Sequence, residues 1–387
     1  MNKFIDRYGS ELANGGANLI VAAGSFGHTG GQASARETSV STAHGNPHEA
    51  MYRADILNAL RLSARSSFVG SLFGRHDWRG STYRRCVAAV KYGIRAAGMP
   101  LLHGRYVNFV HQHPLMLACR HRDPRLLERH QHRFVSTRWG RRQRVHGLLS
   151  HYRFALKCLP SQLFEAVYVQ GNAPLGTLTM KDGSLLTLCL RPPIDKGCEG
   201  ELCIQLNDAD DQPLYRIVFT VIDGGQALVI GCLQGPGGEQ SKERVRALTR
   251  HMHGMRPKQL MLSLVYAFAG QFRIRRILAV SNAVHPLRHR RRRFDADYDS
   301  FWLEQKGHVR KDGLFALPVA PARKTEADVP SHHRSAFRKR EALRVESERL
   351  LTDALGTMPP RSFIAPVEER ALRRSFYNVH PEASWTS

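Results

Sequence analysis

Acidic residues are scarce in this chain: 33 Asp and Glu stand against 57 Lys and Arg, a formal charge of +24 over 387 residues. That imbalance favours anionic partners, namely nucleic acid, a phospholipid surface, lipopolysaccharide or a phosphorylated cofactor. Long apolar runs are missing too. The longest, Leu260–Gly270, falls well short of the ~20 residues a membrane-spanning helix needs. No secretory leader is expected, because Asp6 and Glu11 interrupt the start and Leu19–Ala23 is too short for an apolar core. The seven cysteines (Cys86, Cys119, Cys158, Cys189, Cys198, Cys203 and Cys232) include no Cys-x-x-Cys, so they read as mostly reduced, buried, small apolar residues. Cys189, Cys198 and Cys203 match no common zinc spacing. His111-Gln112-His113 and His130-Gln131-His132 lack nearby carboxylate or thiolate ligands, and no metal site is expected. Neither a Walker loop, a Gly-x-Ser-x-Gly elbow nor a kinase signature occurs. The expected location is cytoplasmic, with peripheral contact at the inner membrane as the alternative.

What is present divides near residue 165. Residues 1–48, rich in Gly, Ala, Ser and Asn, read as a disordered tail. A single domain is expected over 49–355, helical over 49–165 and sheet-forming over 166–318, followed by a C-terminal tail over 356–387. In the helical part, Ala54, Leu57, Leu60 and Leu62 make one apolar face. Ser81 is placed to cap a helix carrying Val87, Val90 and Ile94, closed by Gly98 and Pro100. Further helical patterns start at Pro124 and run from Arg144 to Leu159. Thereafter alternating runs separated by Lys181-Asp182-Gly183-Ser184, Asp223-Gly224-Gly225 and Lys311-Asp312-Gly313 read as hairpins. The class is α+β: a helical N-terminal half packed on a mostly antiparallel mixed sheet of about seven strands. The strand ending near Leu233 and the strand Ile277–Val280 are expected to lie parallel, because a helical crossover separates them.

The stretch Leu214–Gly307 carries the chemistry. Gln234 and Gly235 open a Gly-rich turn after a strand. Gly254 ends one helix, and Pro257 suits the first position of the next. That second helix is almost wholly apolar to Ala269 and is expected to be buried. The N–H groups of Lys258 and Gln259 should then lack intrahelical partners, and Arg256 and Lys258 add charge where an anion would sit. A strand ending Val280-Ser281-Asn282 follows. After it come His285, the arginine run Arg288, Arg290, Arg291, Arg292 and Arg293, and Tyr298-Asp299-Ser300-Phe301-Trp302. Two more basic patches surround Trp139 and Phe337.

His113-Pro114-Leu115-Met116, Ser150-His151-Tyr152, Leu233-Gln234-Gly235-Pro236, His253-Gly254-Met255-Arg256-Pro257-Lys258, Val280-Ser281-Asn282, Tyr298–Trp302 and Ser335–Arg340 resemble, in order, the VirK/YbjX family of Gram-negative bacteria. The likeness covers about residues 50–355. It implies a role in envelope integrity, resistance to cationic peptides, virulence or stress response, and supplies no reaction. The order of elements in the C-terminal half is similar to that of the GNAT acyltransferases, which hold a cofactor pyrophosphate on backbone N–H groups at a helix start. Asn282 and Tyr298 match the Asn and Tyr of that family, and Lys306-Gly307 follows. The chain departs from the pattern in having one glycine, Gly254, in the phosphate loop, an extra helix over Ser241–His253 and a longer Asn-to-Tyr spacing. The resemblance implies acyl-CoA as cofactor, bound by Gly254, Arg256, Lys258, Gln234 and Gly235, with Tyr298 as acid, His285 as base and Asn282 beside them. The alternative is a non-enzymatic anion binder that meets nucleic acid or lipid headgroups with Arg288 and Arg290–Arg293.

Overall fold

The computed structural model describes residues 64–193, 197–238, 240–288, 297–321 and 323–356. The expected tail over 1–48, all of the expected tail over 356–387 except Gly356, the face Ala54–Leu62 and Arg290–Arg293 lie outside the described residues.

The described residues begin with helices: α1 (Ala64–Leu72), α2 (Thr82–Ala97), α3 (Pro100–Gln112), α4 (Pro114–Arg122), a 3-10 segment Pro124–Gln131, α5 (Arg141–Cys158) and α6 (Ser161–Glu165). Proline stands in the first turn of α3 and α4, where its missing N–H costs nothing. Ser81 flanks α2 without a side-chain capping bond. The stripe Val87, Val90 and Ile94 that marks α2 in the sequence is not its buried side, because Tyr92 and Ala96 face the core instead. A buried polar chain explains that choice. Tyr92 donates to Ser71 at 2.8 Å and lies 3.1 Å from His103 Nε2, whose Nδ1 is 3.1 Å from His130 Nε2. Burial lowers His103 to about 4 and His130 far below the usual histidine value, so neutral imidazoles tie α1, α2, α3 and the 3-10 segment together.

Among the described residues eight strands follow, one more than the count expected: β1 (Ala173–Thr179), β2 (Leu185–Arg191), β3 (Leu202–Asn207), β4 (Pro213–Ile222), β5 (Ala227–Gln234), β6 (Arg276–Val280), β7 (His308–Val309) and β8 (Leu314–Leu317). They form one sheet in the order β1-β2-β3-β4-β5-β6-β8-β7. Every pairing is antiparallel except β5 with β6, which is parallel from Ala227↔Arg276 to Ile230↔Ala279. The crossover between them holds α7 (Ser241–His251) and α8 (Pro257–Gln271), and α9 (Tyr298–Glu304) lies between β6 and β7. α10 (Arg334–Leu355) closes the described chain and packs along α8 and β1.

Among the described residues the main core draws on residues from Tyr106 to Leu355, and Cys203, Val218 and Cys232 form a small separate cluster. Phe219 of β4 meets Phe268 of α8 at 4.9 Å between ring centroids, and Phe154 of α5 meets Phe272 at 5.1 Å. From Leu260 to Ala269 every residue of α8 except Ala267 is buried, as an apolar run without a polar face requires. β4 outruns β3, whose pairing stops at Leu202↔Phe219. α5 closes the open edge: Val221 N–H donates to His151 Nδ1 at 3.1 Å and Gly224 N–H to Ser150 at 3.0 Å. Among the described residues no helix is long and apolar enough to cross a membrane.

Candidate functional site

Parallel pairing of β5 with β6 stops at Ile230, while pairing of β5 with β4 continues to Gln234 with Gly231 as an extra residue. Such a bulge bends a strand and leaves backbone groups without a ladder partner. Gly231 is demanded by sterics, since a Cβ there would sit 1.8 Å from the Glu199 carbonyl oxygen. Beyond the bulge Leu233 N–H donates to the hydroxyl of Tyr298 at 3.2 Å, and that hydroxyl donates to Cys232 Sγ at 3.6 Å. Burial raises Tyr298 and Cys232 well above their usual values, so both keep their protons. The His285 ring is fully buried 5.5 Å from that of Tyr298. Its Nδ1 accepts Leu287 N–H at 3.2 Å, and its Nε2 lies 3.2 Å from Glu199 Oε1.

Asn282 pins the chain between β6 and α9. Its N–H donates to Asp299 at 2.8 Å, and its Oδ1 accepts Tyr298 N–H at 3.1 Å. It therefore holds Tyr298 in place through the backbone. Gln234 is held by Arg216, which donates to its Oε1 at 3.1 and 2.9 Å. Gly235 lies against Tyr215, whose ring would be 2.6 Å from an added Cβ.

Two cations stand at the start of α8. Arg256 is the N-cap of α8 and meets Glu304 of α9 at 2.6 Å, both about half exposed. The Lys258 ammonium stands 5.5 Å over the ring of Phe301, and burial, then Arg256, lowers its pKa. Gly254 has a φ of +85°, a conformation a side chain resists, and an added Cβ would come within 3.5 Å of Arg340 Nη1. Thus the basic patch around Phe337 meets the Gly254–Lys258 segment. Gln259 N–H is not open as expected: it donates to the Arg256 carbonyl at 2.9 Å, because the N-cap carbonyl is within 3-10 reach. In the arginine run, Arg288 donates to the Ala283 carbonyl at 2.7 Å.

A family model described as "Protein of unknown function (DUF535)" matches residues 82–349. The chain belongs to the DUF535 family. It is 28% identical over 270 residues to the uncharacterized protein YbjX of Escherichia coli K12, covering 68% of this chain and 80% of that one. An uncharacterized protein of Haemophilus influenzae is 25% identical over 258 residues, 65% of this chain and 84% of its own length. A protein of Mannheimia haemolytica named membrane protein LapB is 27% identical over 180 residues, 46% of this chain and 75% of its own. No solved structure matches.

Sequence reasoning missed a second polar centre of this DUF535 chain. Glu201 is wholly buried at the start of β3. Tyr152 of α5 donates to it at 2.5 Å, and Arg129 donates to it, to Tyr152 at 3.0 Å and to Asp123 at 2.7 Å. Burial pushes the Glu201 carboxyl up to about 7, against the pull of Arg129. The available signal was the acid itself: a glutamate at the head of an apolar strand has to find a cation. Glu199 and Cys232 were likewise unmarked, because nothing local shows that a loop before β3 touches the bulge of β5.

Proposed function

We propose that this DUF535 protein is an acyltransferase that uses an acyl-CoA at the diverging ends of β5 and β6. The observation that carries the reading is the Tyr298 hydroxyl held at Leu233 N–H beyond the Gly231 bulge. A thioester carbonyl in place of that hydroxyl would accept the same N–H, a donor already fixed where negative charge develops. The amine nitrogen of the acceptor attacks the thioester carbon and its proton passes to the Glu199–His285 pair. The C–S bond breaks and the leaving thiolate takes the Tyr298 proton. The cofactor's diphosphate would lie at the start of α8, where Arg256 gives a bidentate fork and Lys258 a second charge. Arg256 would exchange Glu304 for phosphate at little cost, because half-exposed ion pairs are worth about 1 kcal/mol or less. An envelope precursor bearing an amine is the substrate class that the family resemblance favours.

Calorimetry with coenzyme A tests the reading. Arg256→Ala should weaken binding roughly tenfold or more, and Arg291→Glu should leave it nearly unchanged. Wild-type binding no tighter than millimolar sinks the acyltransferase reading. Salt-dependent binding of a short duplex, lost in Arg291→Glu, would establish the anion binder in its place.

A further inference from the structure

Eleven large apolar side chains are largely exposed among the described residues, and six of them fall between Val69 and Leu101. Three share one face of α2. Tyr83, Val90 and Ile94 stand at i, i+7 and i+11 and are 77%, 60% and 68% exposed. That spacing puts them on one stripe, opposite the buried Tyr92. Arg84, Lys91 and Arg95 flank the stripe on one side by the same periodicity. From Trp78 to Arg122 there is no Asp or Glu, against eight Lys and Arg.

The same helix forms one wall of a cleft of about 760 Å³. Lys91, Arg95, Arg125, Arg129 and Arg133 line it, together with Trp78. Its two acids are already engaged by Arg75, which lies 2.8 Å from Asp77 and 3.3 Å from Glu128. Arg129 is buried, and its Nε has no hydrogen-bond partner among the described residues. A basic cleft of this kind suits phosphate.

We propose that the outer face of α2 and this cleft together dock an anionic phospholipid surface. Tyr83, Val90 and Ile94 enter the boundary between headgroups and acyl chains, and a lipid phosphate sits among the arginines of the cleft. An apolar stripe flanked by cations is the pattern of a helix lying in a membrane interface, and an anionic leaflet attracts each Lys or Arg held near it. A free phosphate would leave the apolar face without a role, and a nucleic acid duplex would gain nothing from it.

Flotation of the full chain with vesicles tests this. Phosphatidylglycerol in phosphatidylethanolamine should bind the protein, and phosphatidylcholine should bind it far less. Val90→Asp with Ile94→Asp, both at exposed positions, should keep the melting temperature and lower vesicle binding about tenfold or more. Arg95→Ala with Arg133→Ala should lower it similarly and should also weaken calorimetric binding of glycerol 3-phosphate, which reads the cleft without a bilayer. Equal binding to phosphatidylcholine, no binding at all, or binding untouched by the α2 pair would overturn the proposal. So would binding lost only in Arg291→Glu, which would move the contact to the arginine run. None of these outcomes depends on coenzyme A, so the acyltransferase reading stands or falls separately.

Discussion

Arg129→Met separates the two roles of the buried Glu201 centre, structural charge pairing and proton uptake. The guanidinium contacts Glu201, Tyr152 and Asp123. Methionine fills similar space and removes the charge. Breaking a buried pair from one side costs about 3–5 kcal/mol, and Glu201 would keep only the Tyr152 hydroxyl. The loss should depend on pH. The folded value of Glu201, about 7, lies above that of an exposed glutamate, about 4.3. The folded protein therefore binds the extra proton between those values, and this group's contribution to stability declines as pH rises through that window. Without Arg129 the folded value climbs further and the decline deepens. Urea unfolding at pH 8 should show the full loss. At pH 5.5, with Glu201 neutral in wild type and variant alike, the loss should shrink by at least about 1 kcal/mol. It should not vanish, because Asp123, which Arg129 and Arg125 hold below the usual carboxylate range, also loses one of its two cations. Adding Glu201→Gln to Arg129→Met should recover part of the loss at pH 8. A loss under about 1 kcal/mol at pH 8, or the same loss at both pH values, would refute the argument.

Two stability predictions rest on burial and close approach. Gly231→Ala brings a Cβ to 1.8 Å from the Glu199 carbonyl oxygen, with no flexible side chain to move aside. It should cost roughly 2–4 kcal/mol; a melting temperature within a degree of wild type would show that the bulge can relax. Leu264→Asp places a charge at a wholly buried position of α8 and should cost several kcal/mol. Cooperative unfolding and wild-type yield of that variant would contradict the burial.

The sheet was largely legible because hairpin turns and alternation are local. Asp223-Gly224-Gly225 joins β4 to β5 with register Ile222↔Ala227, and the parallel pairing of β5 with β6 follows from the helices between them. α8 was legible because nine apolar positions among the ten from Leu260 to Ala269, broken only by Ser263, leave no side for water. The residues proposed for the site were legible singly, and part of their grouping was not. Asn282 and Tyr298 are sixteen residues apart yet meet through one hydrogen bond, which their loop lets the sequence suggest. Glu199 against Gly231 and His285, Arg340 beside Gly254 and Arg129 on Glu201 come from segments with no shared pattern. The stripe on α2 shows the limit most directly. Its periodicity fixed a helix with an apolar face at Val87, Val90 and Ile94. Which face turned inward was settled by Tyr92 joining Ser71 and His103, because a buried hydroxyl and imidazole must find partners and only the folded chain could supply them.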